Sequence, residues 1–306
     1  MKLRALLEPC RAGSYDNILA LARATEESGL DGFFRSDHLL GVDPEDRTYQ
    51  PTDSWATLAG LARETRRIRL GTLVTAGTFR APGLLATTVA VVDAMSGGRV
   101  ELGIGAGWYG EEHRAFGIGF PGTGERFDRL EEQLTIITGL WDTPDGQPFS
   151  FDGKHYQVSN PGVLPRTAQR PHPPLIIGGT GARRTPALAA RFADEFNLAF
   201  PHGIRERREN FDRICEETGR DPSTVRKSVI LPVACGTSPA EIKAREASLP
   251  AGPLRAEAVV GRPEDVLERL AELRHEGGVD TVYFHLYDTE DSDHVRLLGA
   301  EVLPGL

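Results

Sequence analysis

The sequence predicts an α/β protein built as a (β/α)8 TIM barrel, and three observations carry the prediction. Eight short apolar runs alternate with longer amphipathic stretches along the chain, the rhythm of strands each followed by a helix. The length of 306 residues suits one such barrel as a single domain over 1–306. Hydrophobic residues at 40% and charged residues at 26% allow a sizeable core and exclude global disorder. A doubly wound sheet is the main rival, but eight regular βα units in one domain favour closure.

Residues 3–7 are the first strand. Ser14 is placed to cap a helix running to Ser28, with Gly29 as its stop. Residues 32–35 are the second strand, and Asp53 or Ser54 starts a helix ending near Thr65. The β-branched run 68–75 reads as one continuous third strand. Pro82 stands where a helix N-terminus tolerates it and opens a helix to Met95, before Gly97 and Gly98. The fourth strand is 100–104. Phe127, Leu130, Leu134, Ile137 and Leu140 recur on one face of a helix over 124–141. The fifth strand, 175–177, precedes a helix over 183–193, and the sixth, 195–199, precedes one over 204–218. The seventh, 228–233, is followed by a helix over 239–248. A helix over 263–275 leads to the eighth strand, 279–285, and 292–303 is a final helix. Two stretches exceed ordinary connections, about 108–123 and about 142–173, and both read as insertions at the C-terminal mouth. The second is rich in proline and reads as an ordered lid.

A net charge of −9 offers no basic face for phosphate backbones, so nucleic acid is excluded as a partner. No run of about 18 apolar residues is present, so no membrane span is expected, and the N-terminus lacks the core of a signal peptide. Cys10, Cys215 and Cys235 are odd in number and scattered, which fits a reducing, cytoplasmic setting. The histidines show no paired metal spacing, and there is no GxSxG elbow, so neither a metal nor a serine nucleophile is expected.

Four segments carry chemistry. Ser36-Asp37-His38 follows the second strand, where barrel side chains face the mouth. His38 titrates near neutrality and can move a proton, with Asp37 to orient it or bind a ligand. The alternative is a capping cluster at a loop surface. In 70–82, a strand enters with Gly71 and leaves through Thr75, Gly77 and Thr78, a pattern open to a bulge beneath a planar ligand. Gly103, Gly105 and Gly107 remove alternate side chains at the fourth strand's end. Trp108 and Tyr109 then either stack on a ligand or pack under the loop. Gly178-Gly179-Thr180-Gly181 turns from strand into helix beside Arg183 and Arg184, either as a phosphate cradle or as a plain tight turn. His285, at the end of the eighth strand, either faces the mouth or packs.

These segments, together with Gly32-Phe33-Phe34-Arg35, the run Ser96-Gly97-Gly98-Arg99-Val100-Glu101, the run 124–132 and the run 173–179, resemble the F420-dependent branch of the luciferase-like monooxygenase superfamily. The likeness runs in order from near residue 30 to about 200, and again over 261–284. It implies a TIM barrel, often dimeric, with a deazaflavin ring at the strand C-termini and a small-molecule substrate. By that resemblance His38 is the acid/base beside the ring and Asp37 a ring contact. Leu73-Val74 matches a non-prolyl cis peptide that supports the ring. Thr75, Gly107 and Trp108 border the ring, while Gly178, Gly179, Thr180 and Gly181 hold the phosphate of coenzyme F420.

One departure is informative. The sugar-phosphate dehydrogenases of this family carry a catalytic glutamate where this chain has Trp108. That favours reduction of an unsaturated substrate (C=C, C=N or C=O) over oxidation of a sugar phosphate. FMN is the rival cofactor, in a monooxygenase on the same fold, and a non-catalytic ligand-binding homologue is the rival from another class.

Overall fold

A computed structural model describes residues 1–8, 14–41, 52–250 and 252–306. Alternating apolar side chains build β1 (Lys2–Leu7), β2 (Gly32–Arg35), β3 (Arg69–Thr72), β4 (Thr75–Ala76), β5 (Val100–Gly105) and the hairpin β6 (Phe149–Asp152) and β7 (Gln157–Asn160). They continue as β8 (Leu175–Gly178), β9 (Glu195–Asn197), β10 (Arg226–Cys235), β11 (Val259–Gly261) and β12 (Thr281–Leu286). Eight of these, β1, β2, β3, β5, β8, β9, β10 and β12, pair in parallel around a ring that closes where β10 meets β12 and β12 meets β1. The expected (β/α)8 barrel is the observed architecture, and all eight expected strands belong to its wall.

The outer helices are α1 (Tyr15–Glu27), α2 (Ser54–Glu64), α3 (Pro82–Ser96), α4 (Gly110–Ala115), α5 (Thr123–Asp142), α6 (Arg184–Phe192), α7 (Ile204–Glu217), α8 (Pro239–Ser248), α9 (Pro253–Ala256), α10 (Pro263–Gly277) and α11 (Ser292–Leu297). Their expected caps are in place. The Ser14 hydroxyl accepts from Asn17 N–H, the Asp53 carboxylate accepts from Ala56 N–H, and Pro82 stands at the start of α3. Cys215 and Cys235 are buried free thiols, whereas Cys10 lies outside the described residues. Among the described residues no helix is long and apolar enough to cross a membrane.

Three expected stretches differ in detail. The third strand is broken: β3 ends at Thr72, the Leu73–Val74 peptide is cis, and β4 resumes at Thr75. The Gly and Thr residues of 71–78 leave the strand open to a bulge, and the glycines opposite it make room for the break. A Cβ on Gly103 would overlap the Thr72 carbonyl, and one on Gly105 would sit 3.0 Å from a Val74 methyl. The 108–123 stretch contains the short helix α4. The 142–173 stretch is not a free lid. It leaves α5 at the lower end of the barrel and climbs the outside of that helix as β6 and β7. There Glu132 accepts from the backbone N–H groups of Lys154, His155 and Tyr156, and Phe149 packs on Gly139. Only its tip approaches the mouth, where the Gln133 side-chain amide donates to both the Tyr156 hydroxyl and the Gly77 carbonyl.

Period-two alternation sorts the wall residues. Leu3, Ala5, Leu7, Phe33, Leu102, Ile104 and Phe284 face the helices, while Leu6, Phe34, Leu73, Ile176 and Tyr283 fill the barrel interior. Below this apolar layer lies a buried ionic cluster. Arg4 holds Glu101 through two hydrogen bonds (2.8 and 3.0 Å) and donates to the Tyr283 hydroxyl at 2.8 Å. Tyr283 donates to Glu195 at 2.7 Å, and Arg69 adds a second cation on Glu101 at 2.7 Å. Burial alone would raise the Glu101 pKa, but Arg4 and Arg69 hold it down to about 2. Above the apolar layer lies the mouth.

Candidate active site

The upper ends of β12, β1 and β2 lie side by side and present His285, Glu8 and His38. Past β2, the Ser54 hydroxyl donates to the Ser36 carbonyl at 2.9 Å and fixes the turn that aims His38. His38 Nδ1 lies 3.2 Å from both carboxylate oxygens of Glu112, and Leu39 N–H donates to the same carboxylate at 3.0 Å. A carboxylate only accepts, so Nδ1 carries a hydrogen. Burial works against the imidazolium. The Glu112 hydrogen bond and the charges of Glu8, Glu112 and Asp37 outweigh it, and His38 keeps its proton above the ordinary histidine range.

Asp37 is buried and receives a hydrogen bond from Arg80 at 2.7 Å. Its other oxygen, Oδ1, and the Ser36 hydroxyl are buried with no hydrogen-bond partner among the described residues. Such atoms cost about 1–3 kcal/mol each unless something pairs with them. They mark where a polar ligand edge would be welcome.

The indole of Trp108 meets the His38 ring edge-on at 5.6 Å and stacks on Tyr109 at 5.2 Å. Tyr109 is the packed partner: it is buried and its hydroxyl donates to the Gly41 carbonyl at 2.9 Å. Trp108 is 62% exposed and stands over the mouth.

Behind this group, Val74 points inward over Gly103, Gly105 and Gly178, with contacts of 3.2, 3.0 and 3.3 Å to the Cβ positions those glycines lack. The alternating glycines therefore make room for the Leu73–Val74 bulge, and they bring it against the β8 turn. Thr75 is fully buried and faces α2. Its hydroxyl accepts from Trp55 Nε1 at 3.0 Å and donates to Thr72, whose hydroxyl donates to the Gly103 carbonyl. Gly107 has φ +75, and a Cβ there would come within 2.8 Å of the Thr78 hydroxyl.

The 178–181 turn leaves β8 through Gly179 at φ +146 and enters α6 without a side-chain cap. The first backbone N–H groups of α6 are thus available to an anion. Arg183 at the turn is exposed, whereas Arg184 is committed to Gly124 and Asp128. Thr180 and Gly181 are exposed. Beside the mouth, a cleft of about 500 Å³ opens between Thr78, Phe120, Arg129 and Tyr156.

Glu112, Glu8 and Tyr287 lie outside the sequence motifs. His285 faces the mouth, hydrogen-bonded to both Glu8 and Tyr287. Glu112 had one available signal: residues 110–115 have acidic residues first and basic residues last, as a short helix prefers. Among the described residues no group of three or more His, Cys, Asp or Glu side chains could hold a metal ion.

Comparisons with known proteins place this geometry in context. The model of the luciferase-like monooxygenase family matches residues 5–249. The chain is 35% identical over 182 residues to the F420-dependent glucose-6-phosphate dehydrogenase of Microbacterium testaceum (strain StLB037), covering 59% of this chain and 52% of that protein. It is 30% identical over 175 residues to the FMNH(2)-dependent dimethylsulfone monooxygenase of Pseudomonas putida, covering 57% and 46%. The chain thus spans about half the length of these two relatives. In three dimensions it is similar to an F420-dependent secondary alcohol dehydrogenase in complex with an F420-acetone adduct. The TM-score is 0.83 at 18% identity, over 99% of this chain and 98% of that one, a likeness of fold.

Proposed function

Because the chain belongs to the luciferase-like monooxygenase family, we propose that it is an F420-dependent oxidoreductase that reduces a small unsaturated substrate at the barrel mouth. One observation carries the proposal: His38, its pKa raised, stands beside polar atoms of Ser36 and Asp37 that have no partner among the described residues, over a glycine-lined bulge that packs against the β8 turn leading into the uncapped helix α6. Those parts fit a planar ring with a phosphate tail. Relatives named F420-dependent support the deazaflavin, and the FMNH(2)-dependent relative keeps FMN as the second reading.

In this proposal the Ser36 hydroxyl and Asp37 Oδ1 meet the polar edge of the ring. Leu73 and Val74 support one face, and Thr75 and Gly107 border it through their backbone. The turn Gly178-Gly179-Thr180-Gly181 and the N-terminus of α6 take the phosphate, with Arg183 beside it. Trp108 covers the other side of the mouth and narrows it. A reduced deazaflavin, when bound, supplies a hydride; the protein's part is to position, exclude water and manage protons. His38 exchanges a proton through Nε2 while Glu112 holds its orientation. A second copy of the chain would pair on α3, whose outer face exposes Leu84, Thr87, Val91 and Ala94 without a charge.

Equilibrium binding of purified protein to F420 and to FMN tests the proposal. F420 binding with little or no FMN binding is expected. FMN binding without F420 binding overturns it in favour of a monooxygenase, and binding of neither favours a non-catalytic homologue.

A further inference from the structure

We infer that Tyr287, His285 and Glu8 form a second acid–base unit at the mouth, which delivers the proton that a neutral carbonyl or imine substrate takes up along with a hydride. The inference rests on the coenzyme proposal above.

The unit is continuous. The Tyr287 hydroxyl lies 2.7 Å from His285 Nδ1, and His285 Nε2 lies 3.2 Å from Glu8 Oε2. The tyrosine and histidine rings pack at 4.3 Å between centroids, and both residues are more than nine-tenths buried. Packing fixes both rings, so the alignment costs little entropy when a proton moves. Glu8 lies between the two histidines: it bonds His285, and its charge also acts on His38. On the other flank, the β10 partner of His285 is Pro232, which carries no titratable group.

Two proton-handling sites suit two needs. Hydride addition to the carbon of a neutral C=O or C=N bond moves the π pair onto the heteroatom, which must then gain a proton. Glu8 and His285 hold one transferable proton between Oε2 and Nε2. As it passes from Nε2 to the heteroatom, the Tyr287 hydroxyl proton moves onto Nδ1; a solvent or buffer acid then returns a proton to Nε2, leaving its conjugate base in solution, and the Nδ1 proton goes back to the Tyr287 oxygen, so the unit ends as it began. His38, held by Glu112, stays with the coenzyme side. A cationic acceptor, such as an N-alkylpyridinium, takes hydride alone and has no use for the second unit.

The test uses the full chain with His285→Asn and Tyr287→Phe, after F420 binding has been measured for each protein. We expect binding to stay near wild type. In single turnovers with reduced F420, His285→Asn should slow a neutral carbonyl or imine by about tenfold or more while leaving an N-alkylpyridinium within about twofold, given the usual size of acid–base catalysis. Tyr287→Phe should act in the same direction but less, and should move the His285 Nδ1 resonance in nitrogen-15 spectra. Equal slowing of both acceptor types, no slowing of either, wild-type reduction of the cation only, or an unmoved Nδ1 resonance overturns the inference. Wild-type protein that fails to bind F420 instead overturns the coenzyme proposal, and this inference with it.

Discussion

The two ends of the barrel both contain buried charge but treat it differently. At the lower end, Arg4, Glu101, Glu195, Arg69 and Tyr283 satisfy one another with hydrogen bonds of 2.7–3.0 Å. At the mouth, the Ser36 hydroxyl and Asp37 Oδ1 are buried without a partner among the described residues, and Trp108 is left exposed. The lower end is finished by the chain itself. In the proposed function the mouth is finished by a ligand. One barrel therefore separates the charge that fixes the fold from the charge that waits for chemistry.

Breaking the lower cluster should have the largest effect on stability. Glu101→Gln leaves Arg4 buried beside a neutral amide, and removing one partner of such a pair costs about 3–5 kcal/mol. Urea unfolding should show that loss, while F420 affinity of the folded fraction stays close to wild type. A loss under about 1 kcal/mol would mean the cluster is not what closes the barrel. Removing the mouth histidine should do the reverse. His38→Ala should lower turnover by about 10²–10⁴ while leaving stability within about 1 kcal/mol. A loss of turnover below about tenfold would rule out an acid–base role.

The two ends also separate in pH. Glu101 is held down to about 2, so its contribution is complete above the ordinary carboxylate range and fades only as pH falls toward 2. His38 is raised, so its contribution is complete below the ordinary histidine pKa and fades as pH rises through the raised value. Glu112→Gln keeps the shape of the contact and removes the charge. It should move the His38 titration toward lower pH, read from its ring resonances, and leave the acid unfolding limb unchanged. An unmoved His38 titration would mean that Glu112 is only packing.

The smallest effect is the most diagnostic of a ligand site. Ser36→Ala removes a buried hydroxyl that has no partner among the described residues, so stability should hold or rise by up to about 1 kcal/mol while F420 affinity falls. Lower stability with unchanged affinity would assign Ser36 to the fold.

The barrel was legible in the sequence because strand alternation and helix caps are local signals. Ser14, Asp53 and Pro82 announce their helices within a few residues, and the structure places them where those signals point. His38, Trp108 and the 178–181 turn were legible as motifs. What stayed hidden was long-range. Arg4 meets Glu101 across 97 positions and Tyr283 across 279, and nothing near Arg4 marks it as buried. Glu112 reaches His38 across 74 positions from a helix of six residues, too short to stand out by periodicity. The hairpin over 149–160 was obscured by proline-rich flanks, and its anchor, Glu132, looks like any exposed helix glutamate.

The central claim is that a deazaflavin ring sits at the mouth beside His38 and Trp108. Of the three tryptophans, Trp55 and Trp141 are buried and Trp108 is exposed. Tryptophan fluorescence titrated with F420 therefore tests it directly. The account predicts saturable quenching that is mostly lost in Trp108→Phe, although that variant still binds F420. Quenching by FMN alone, or F420 quenching that survives in Trp108→Phe, would contradict it.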